Sequence, residues 1–280
     1  MRILAWAKTD VGRKRDHNED SHLVRNELGL FAVADGMGGH VGGEQASRLA
    51  VQVLNETVGS ADLKALAPGP IHPRLDPGMR ETQRMEVGFE AGGHDSTDPG
   101  VARDVPAMLE QAARKAGASI FERAQREPEL AGMGTTLTAM MIHGDRVHFA
   151  HVGDSRAYLY RNGRIEQVTE DHSWIAEQVR AGLLTEGEAA ESRFKHIITR
   201  SVGFERDVTV DLLGRTALPG DCYVLCSDGM SNYIDGAELG GILSTTYYCK
   251  VPELLCELAN QRGGDDNITV LVVYLANHAS

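Results

Sequence analysis

Residues 30–44 read LFAVADGMGGHVGGE, in which a strand, a glycine-rich turn and the start of a helix follow one another. The apolar run LFAVA is typical of a buried strand, and it stops at Asp35 and Gly36. From Glu44 onward, apolar residues recur at helical spacing and define one face of a helix. These residues are Ala46, Leu49, Ala50, Val53 and Leu54. The stretch therefore predicts a buried strand that ends in a carboxylate and leads into an amphipathic helix.

The rest of the chain alternates between hairpin-like strands and helices. Apolar periodicity predicts further helices at 105–127, 173–181, 185–191, 237–245 and 252–261. It predicts further strands at 135–143, 146–152, 157–160, 208–213, 223–227 and 268–275. Because each sheet must cover its apolar side, this order indicates antiparallel sheets that carry helices on their outer faces. We therefore expect an α+β sandwich.

Size and charge limit the class of protein. A chain of 280 residues with 42% hydrophobic residues can bury the core of one large domain. Its net charge of -12 argues against a nucleic-acid partner, which requires a basic surface. No apolar run approaches the roughly 20 residues that span a bilayer, and the start MRILAWAKTD does not resemble a signal peptide. We expect a cytoplasmic protein without membrane insertion.

Residues 59–106 differ in composition from the rest of the chain. Six of the nine prolines lie in this stretch, which shows little apolar periodicity. They are Pro68, Pro70, Pro73, Pro77, Pro99 and Pro106. Such a segment is too polar to bury a core of its own. We therefore expect a single domain over residues 1–280 with a surface insertion at about 59–106, for which a partner-binding role stays open.

Carboxylates recur at the ends of the predicted strands. The tripeptide Asp-Gly-Met follows two strands, at Asp35 and Asp228, while Asp154 ends a third and Asp266 immediately precedes the last. One Asp-Gly pair is most simply a turn signal. However, each carboxylate beside a buried strand costs several kcal/mol of desolvation unless it is paired, and no matching set of Lys or Arg lies nearby. Bound metal ions would supply the missing positive charge.

The candidate ligands are all oxygen atoms. Oxygen ligands select hard cations such as Mg²⁺ or Mn²⁺, whereas a zinc site would include His or Cys. Gly36 could add its carbonyl oxygen, because glycine lets the backbone approach an ion closely. The run GMGGHVGG is a weak nucleotide motif, because it lacks the G-x-G-x-x-G spacing and a following Gly-Lys-Ser/Thr.

A second polar run, RDHNED, occupies residues 15–20. Taken alone, it is most simply a solvated loop. Arg15 nevertheless offers the planar fork of donors that suits a phosphate group. Glu19 and Asp20 could orient water bound to a metal ion.

With these residues in place, the chain strongly resembles the type 2C metal-dependent Ser/Thr protein phosphatases, in particular the short single-domain bacterial members. The matching segments follow the order of the family across nearly the whole chain. They are RDHNED (15–20), VADGMGGHVGGE (33–44), GMGTTLTA (132–139), HVGDSRAYL (151–159), ITRSVG (198–203), LCSDGMS (225–231) and GGDDNITVLVV (263–273). An ordered set of this kind is far more specific than any single motif.

The resemblance implies a four-layer α-β-β-α sandwich with two central, mostly antiparallel sheets flanked by helices. It also implies two tightly bound Mn²⁺ or Mg²⁺ ions at one edge. By motif match, Asp35 bridges both metals, the Gly36 carbonyl holds one, and Asp228 and Asp266 hold the other. Asp154 matches the aspartate that helps to bind a third, weaker metal.

The same match assigns the remaining polar residues. Arg15 corresponds to the arginine that binds the substrate phosphate, and Glu19 and Asp20 correspond to acidic residues around the metals. The implied reaction is the hydrolysis of phosphoserine and phosphothreonine on proteins, opposing a Ser/Thr kinase, by a hydroxide that the metal pair activates. No protein nucleophile is needed, which agrees with the lack of a G-x-S-x-G elbow.

The sequence departs from the family at two places. Eukaryotic relatives place a histidine directly after the Asp-Gly pair, where this chain has Met37 and a histidine only at His40. The acid that protonates the leaving group is therefore unassigned, and His40 is a candidate for it. A flap is expected at about 172–200, and its SRFKH stretch replaces the His-Pro of many bacterial members. Two alternatives stay open, namely a catalytically inactive binding or sensor module and a hydrolase of a small phosphorylated molecule.

Overall fold

The computed structural model describes residues 1–69, 102–192, 194 and 197–277. In chain order, the strands of this part are β1 (Arg2–Asp10), β2 (Asp20–Arg25), β3 (Leu30–Met37), β4 (Gly134–Thr135), β5 (Leu137–His143), β6 (Arg146–Val152), β7 (Arg156–Arg161), β8 (Arg164–Gln167), β9 (Asp211–Thr216), β10 (Cys222–Cys226) and β11 (Ile268–Ala276). The helices are α1 (His40–Gly59), α2 (Val105–Arg126), α3 (Trp174–Arg180), α4 (Glu186–Glu191), α5 (Asp228–Ser231), α6 (Gly236–Thr245) and α7 (Val251–Arg262).

The strands form two sheets in which the paired strands run antiparallel. Sheet I has the order β1-β11-β10-β7-β8, and sheet II has the order β2-β3-β5-β6-β9 with β4 paired to β3. The chain passes from sheet II to sheet I in the short loop between β6 and β7, which carries Asp154. The end of β6 and the start of β7 therefore lie close together at one edge of the two sheets.

Alternating side chains of the central strands fill three separate cores. On β3, Phe31 and Val33 point into a core between the two sheets, where Phe149 of sheet II meets Tyr223 of sheet I. The alternate residues Leu30, Ala32 and Ala34 lie in a second core with side chains of α1 and α2. A third core lies between sheet I and the helices α5 to α7. The expected four-layer α-β-β-α sandwich is confirmed.

The central strand β3 is buried on both faces, and this explains why its sequence is a continuous apolar run rather than an alternating one. The strand expected at 208–213 lies instead at Asp211–Thr216, which is the part that pairs with β6. Val208 and Val210 enter the core beneath α2 and leave the ladder. The half-buried strands β1 and β2 were not predicted.

The two ends of the insertion are joined by backbone hydrogen bonds between α1 and α2. α1 continues to Gly59 and α2 starts at Val105, so the described residues place its two ends at about 60 and 104. There the amide of Ala67 donates to the carbonyl of Arg103 at 3.3 Å, and the amide of Val105 donates to the carbonyl of Ala67 at 3.2 Å. Residues 70–101 lie outside the described part. The insertion as a dispensable surface segment stays a prediction.

Deletion of residues 70–101, with Gly69 joined to Ala102 by a short Gly-Ser linker, should leave a cooperatively folding protein. The pairing at Ala67 holds the cut ends close together. Thermal unfolding checks this, and a melting temperature within a few degrees of the parent is expected. As a control, a deletion that starts at residue 62 also removes Leu63 and Leu66, which pack on the outer core, and should cost about 2 kcal/mol or more. Loss of cooperative unfolding in the shorter deletion would contradict the prediction.

In the described part of the chain, none of the helices has the length and the apolar character that crossing a bilayer demands.

Candidate active site

A cleft of about 490 Å³ opens at the edge where strands of both sheets end. Its walls bring together six of the polar side chains that the sequence pattern selected. They are Arg15, Glu19, Asp35, Asp154, Asp228 and Asp266. Gly36 and Met37, at the end of β3, also line the cleft.

Sheet II contributes Asp35, and the backbone at this residue is fixed from several sides. Its amide donates to Thr136 Oγ1 at 2.9 Å, and its carbonyl accepts from the amide of Thr136 at 2.8 Å and from Thr135 Oγ1 at 2.9 Å. The next residue, Gly36, lies against the carbonyls of Glu19 and Gly43, so a Cβ atom at this position would clash with backbone. Only glycine therefore lets the chain pass here.

Asp20 lies behind the cleft, directly opposite Asp35 in the pairing of β2 and β3. The oxygen Oδ2 of Asp20 accepts from Ser227 Oγ at 2.8 Å and from Thr269 Oγ1 at 2.6 Å. Ser227 follows β10 and Thr269 lies in β11, so a carboxylate of sheet II is bound by two hydroxyls from the side of sheet I. Within the described residues, the other oxygen, Oδ1, is buried without a hydrogen-bond partner. Asp20 thus joins the two sheets at the base of the cleft.

Sheet I contributes Asp228 and Asp266. Asp228 begins α5 directly after β10, and its Oδ2 accepts from Asn232 Nδ2 at 3.1 Å. Asp266 precedes β11, and its Oδ1 accepts from the amide of Asn267 at 2.8 Å. Its Oδ2 accepts from Arg15 Nη2 at 2.7 Å. Among the described residues that line the cleft, Arg15 is the one basic side chain, and it is held on a carboxylate.

The carboxylates repel one another in a largely buried setting. Burial raises the pKa of Asp35 well above its usual range, and the charges of Asp20 and Asp228 raise it further. Burial, together with the charge of Asp228, also raises the pKa of Asp154. For Asp20, burial raises the pKa although the hydroxyls of Thr269 and Ser227 oppose the shift. Against these carboxylates, the described residues of the cleft wall supply one basic side chain, Arg15.

The chemistry of these donors fits a hard divalent cation, because every candidate ligand is an oxygen atom and Asp20 holds a buried oxygen without a partner. In residues 1–69, 102–192, 194 and 197–277, however, no three carboxylate, histidine or cysteine side chains converge as a ready ligand set. One of the carboxylates, Asp266, is paired with Arg15 instead. The chemical type of these side chains therefore suits metal ions, but their present positions do not form a finished ligand set among the described residues.

Sequence reasoning gave no role to Asn267, which is buried at the start of β11. Its Oδ1 accepts from the amide of Glu19 at 2.7 Å, and its Nδ2 donates to the carbonyls of Val11 at 2.8 Å and His17 at 2.9 Å. Asn267 therefore fastens the loop that carries Arg15 to the edge of sheet I. The motif GGDDN contained it, but spacing alone gives no sign of three backbone bonds to residues about 250 positions away.

Two assignments fall partly outside the described residues. His40 is the first residue of α1, but the described part of the structure does not include its side chain, so its role as a general acid stays a prediction. The expected flap contains α3 and α4 and contributes Ile198 to the cleft wall, while residues 193, 195 and 196 are outside the description. The flap likewise stays a prediction.

Comparisons with known proteins agree with this arrangement. The family model of protein phosphatase 2C matches residues 12–261. The serine/threonine phosphatase stp of Listeria innocua serovar 6a is 33% identical over 270 residues, which cover 95% of this chain and 93% of that protein. The Mycobacterium tuberculosis serine/threonine protein phosphatase PstP is 33% identical over 273 residues, which cover 97% of this chain and 45% of that longer protein.

Solved structures show the same fold. The crystal structure of the Mycobacterium tuberculosis serine/threonine phosphatase PstP/Ppp superimposes with a TM-score of 0.79 at 32% identity, covering 99% of this chain and 100% of that one. The catalytic domain of PstP in complex with two manganese ions superimposes with a TM-score of 0.77 at 31% identity, covering 98% and 99%. The resemblance seen in the ordered motifs is confirmed. The chain therefore belongs to the protein phosphatase 2C family, and it is a hydrolase.

Proposed function

We propose that this chain hydrolyses phosphoserine and phosphothreonine in proteins and that its activity requires two tightly bound divalent cations, Mn²⁺ or Mg²⁺. The observation that carries the proposal is the meeting of Asp35 from sheet II with Asp228 and Asp266 from sheet I around one cleft that also holds Arg15. The PstP catalytic domain, to which the chain is similar, was crystallised with two manganese ions.

The proposed ligands are those that the family resemblance implies, and all of them line the cleft. Asp35 would bridge the two ions, the Gly36 carbonyl would hold one, and Asp228 and Asp266 would hold the other. A third, weaker ion would bind at Asp154. When bound, the divalent cations would supply a hydroxide nucleophile by lowering the pKa of water, and they would offset the charge of the phosphoryl oxygens.

The chain's own residues position the reactants. Arg15 is paired with Asp266 in the cleft. If Asp266 were to bind a metal ion instead, the guanidinium of Arg15 would be able to donate two hydrogen bonds to phosphate oxygens. Met37 and Ile198 are the apolar side chains among the described residues that line the cleft. Glu19 and Asp20 would orient bound water, and His40 would donate the proton to the leaving serine or threonine oxygen.

Arg15→Ala should raise KM for a phosphopeptide about tenfold or more while changing kcat less, because a bidentate contact with the phosphate is lost and the ligands remain. Steady-state kinetics on a phosphothreonine peptide measure this. Arg114→Ala is the matched control, since Arg114 pairs with Glu110 on the surface of α2 and neither residue is part of the cleft wall. A wild-type kcat/KM in Arg15→Ala would show that Arg15 does not bind the phosphate.

The function itself is tested by comparing substrates at saturating Mn²⁺. A phosphothreonine peptide, a phosphotyrosine peptide and a small aryl phosphate are sufficient. We expect turnover of the phosphothreonine peptide with the highest kcat/KM. Turnover of small esters alone would favour the hydrolase of a small phosphorylated molecule, and no turnover of any of them by a metal-loaded, folded protein would favour a binding module. We further propose that the enzyme works in the cytoplasm against a Ser/Thr protein kinase.

A further inference from the structure

The loop that carries Asp154 is held from behind by a buried histidine. His172 is 1% exposed, and its Nδ1 accepts from the amide of Gly153 at 3.0 Å. The backbone amide of His172 donates in turn to the carbonyl of Gly153 at 2.8 Å. His172 therefore binds both backbone polar groups of the residue immediately before Asp154.

The other side of the imidazole ring faces β9. Because Nδ1 accepts from an amide, the ring carries its proton on Nε2, which donates to Asp211 Oδ2 at 3.1 Å. The opposite oxygen of Asp211 accepts from Arg200 Nη1 at 2.7 Å. Asp211 therefore fixes the orientation of the ring, as a carboxylate does behind a functional histidine.

His172 also joins the loop to a second wall of the cleft. Its carbonyl accepts from the amide of Thr199 at 2.8 Å, one residue beyond Ile198, which lines the cleft. The loop and the 198–200 segment are thus tied to the same residue. Displacement of the imidazole would disturb both.

The front of the loop rests on Thr136. Gly153 has a φ of 110°, and a Cβ atom there would lie 2.6 Å from the Cβ of Thr136. Thr136 Oγ1 forms a hydrogen bond of 2.8 Å with Ser155 Oγ and accepts from the amide of Asp35 at 2.9 Å. One chain of contacts therefore runs from the Asp35 backbone through the Asp154 loop to the imidazole.

We propose that His172 is a positioning residue for Asp154. It holds Gly153 against Thr136 so that Asp154, a residue that is 7% exposed, lines the cleft. The inference rests on the proposed function, in which Asp154 binds the weaker third ion. Neither polar bond of the imidazole involves a group of the cleft wall, so His172 acts only through the loop.

Two substitutions separate the bonds of the ring. In His172→Asn, the amide oxygen stands near the position of Nδ1 and keeps the bond to Gly153. In His172→Gln, the amide nitrogen stands near Nε2 and keeps the bond to Asp211 while losing the one to Gly153. We expect His172→Gln to lower kcat on a phosphothreonine peptide about tenfold or more, with KM changed less, and His172→Asn to retain most of the activity.

Mn²⁺ titration by calorimetry supplies a readout that does not depend on turnover. Wild-type protein should show tight and weak binding, and Asp154→Ala and His172→Gln should both lose the weak phase and keep the tight one. The double variant His172→Gln/Asp154→Ala should be no worse in kcat than Asp154→Ala alone, because the two residues act in series. His148→Gln, at an equally buried histidine of β6, is the control and should lower stability without changing Mn²⁺ binding.

The outcomes are distinct. If Asp154→Ala binds Mn²⁺ as the wild type does, the role of Asp154 in the proposed function is wrong, and the inference falls with it. If Asp154→Ala loses the weak phase while His172→Gln keeps it, or if the two losses in kcat add, the proposed function stands and His172 is only structural. Should His172→Gln fail to fold, Asp211→Asn carries the same test, because Asp211 is partly exposed and orients the ring.

Discussion

Asp35→Asn should lower kcat by about a thousandfold or more, which corresponds to about 4 kcal/mol of transition-state stabilisation. The amide has the size of the carboxylate but lacks the charge that would hold two cations together. Turnover of a phosphothreonine peptide at saturating Mn²⁺ measures the loss. Asp145→Asn, at a carboxylate that is 82% exposed in the turn between β5 and β6, is the control and should keep wild-type activity.

The same substitution should raise the melting temperature of the metal-free protein at neutral pH. The pKa of Asp35 is raised in the folded state, so the stability associated with its proton is complete below the ordinary aspartate pKa of about 4 and is lost as the pH rises through the folded value. In chelator, the melting temperature of the wild type should therefore fall progressively as the pH rises above about 4. The melting temperature of Asp35→Asn should fall less over the same pH range. A lower melting temperature of Asp35→Asn at neutral pH would contradict the repulsion inferred for the cluster.

Removal of divalent metal should abolish turnover, and Mn²⁺ should restore it better than Zn²⁺, because the proposed ligands are all oxygen atoms. Binding to the folded state alone also stabilises it, by about 2.7 kcal/mol at a hundred times the dissociation constant. For a domain of this size, we expect Mn²⁺ to raise the melting temperature by about 5 °C or more. Calorimetry in chelator and in Mn²⁺ measures this rise in melting temperature. Asp35→Asn should show little of the rise. Full turnover in excess chelator would refute the mechanism.

Most of the fold followed from the sequence because the central elements are strongly patterned. β6 coincides with its predicted range of 146–152, and α2 differs from its prediction by one residue. The first two strands escaped prediction for a physical reason. β1 is half-buried along most of its length, and β2 begins with Asp20 in a polar run, so neither shows the apolar periodicity on which the predictions relied.

Some residues of the candidate site could likewise be predicted from the sequence, and others could not. Strand-end aspartates such as Asp35 and Asp228 could be selected because an Asp-Gly pair after an apolar run is visible in the sequence. The bonds that Asn267 and His172 make to distant loops could not, because they depend on which segments pack together in space. Spacing along the chain carries no information about such partners.

The apolar core between the two sheets also affects the geometry of the cleft. Asp35 is carried by sheet II, and Asp228 and Asp266 adjoin strands of sheet I, so the gap between the two groups of carboxylates is set by the thickness of the apolar layer between the sheets. Tyr223 and Phe149, with ring centres 6.0 Å apart, act as its spacers. A smaller side chain at either position should therefore shift the two groups of carboxylates relative to each other, although neither ring lines the cleft.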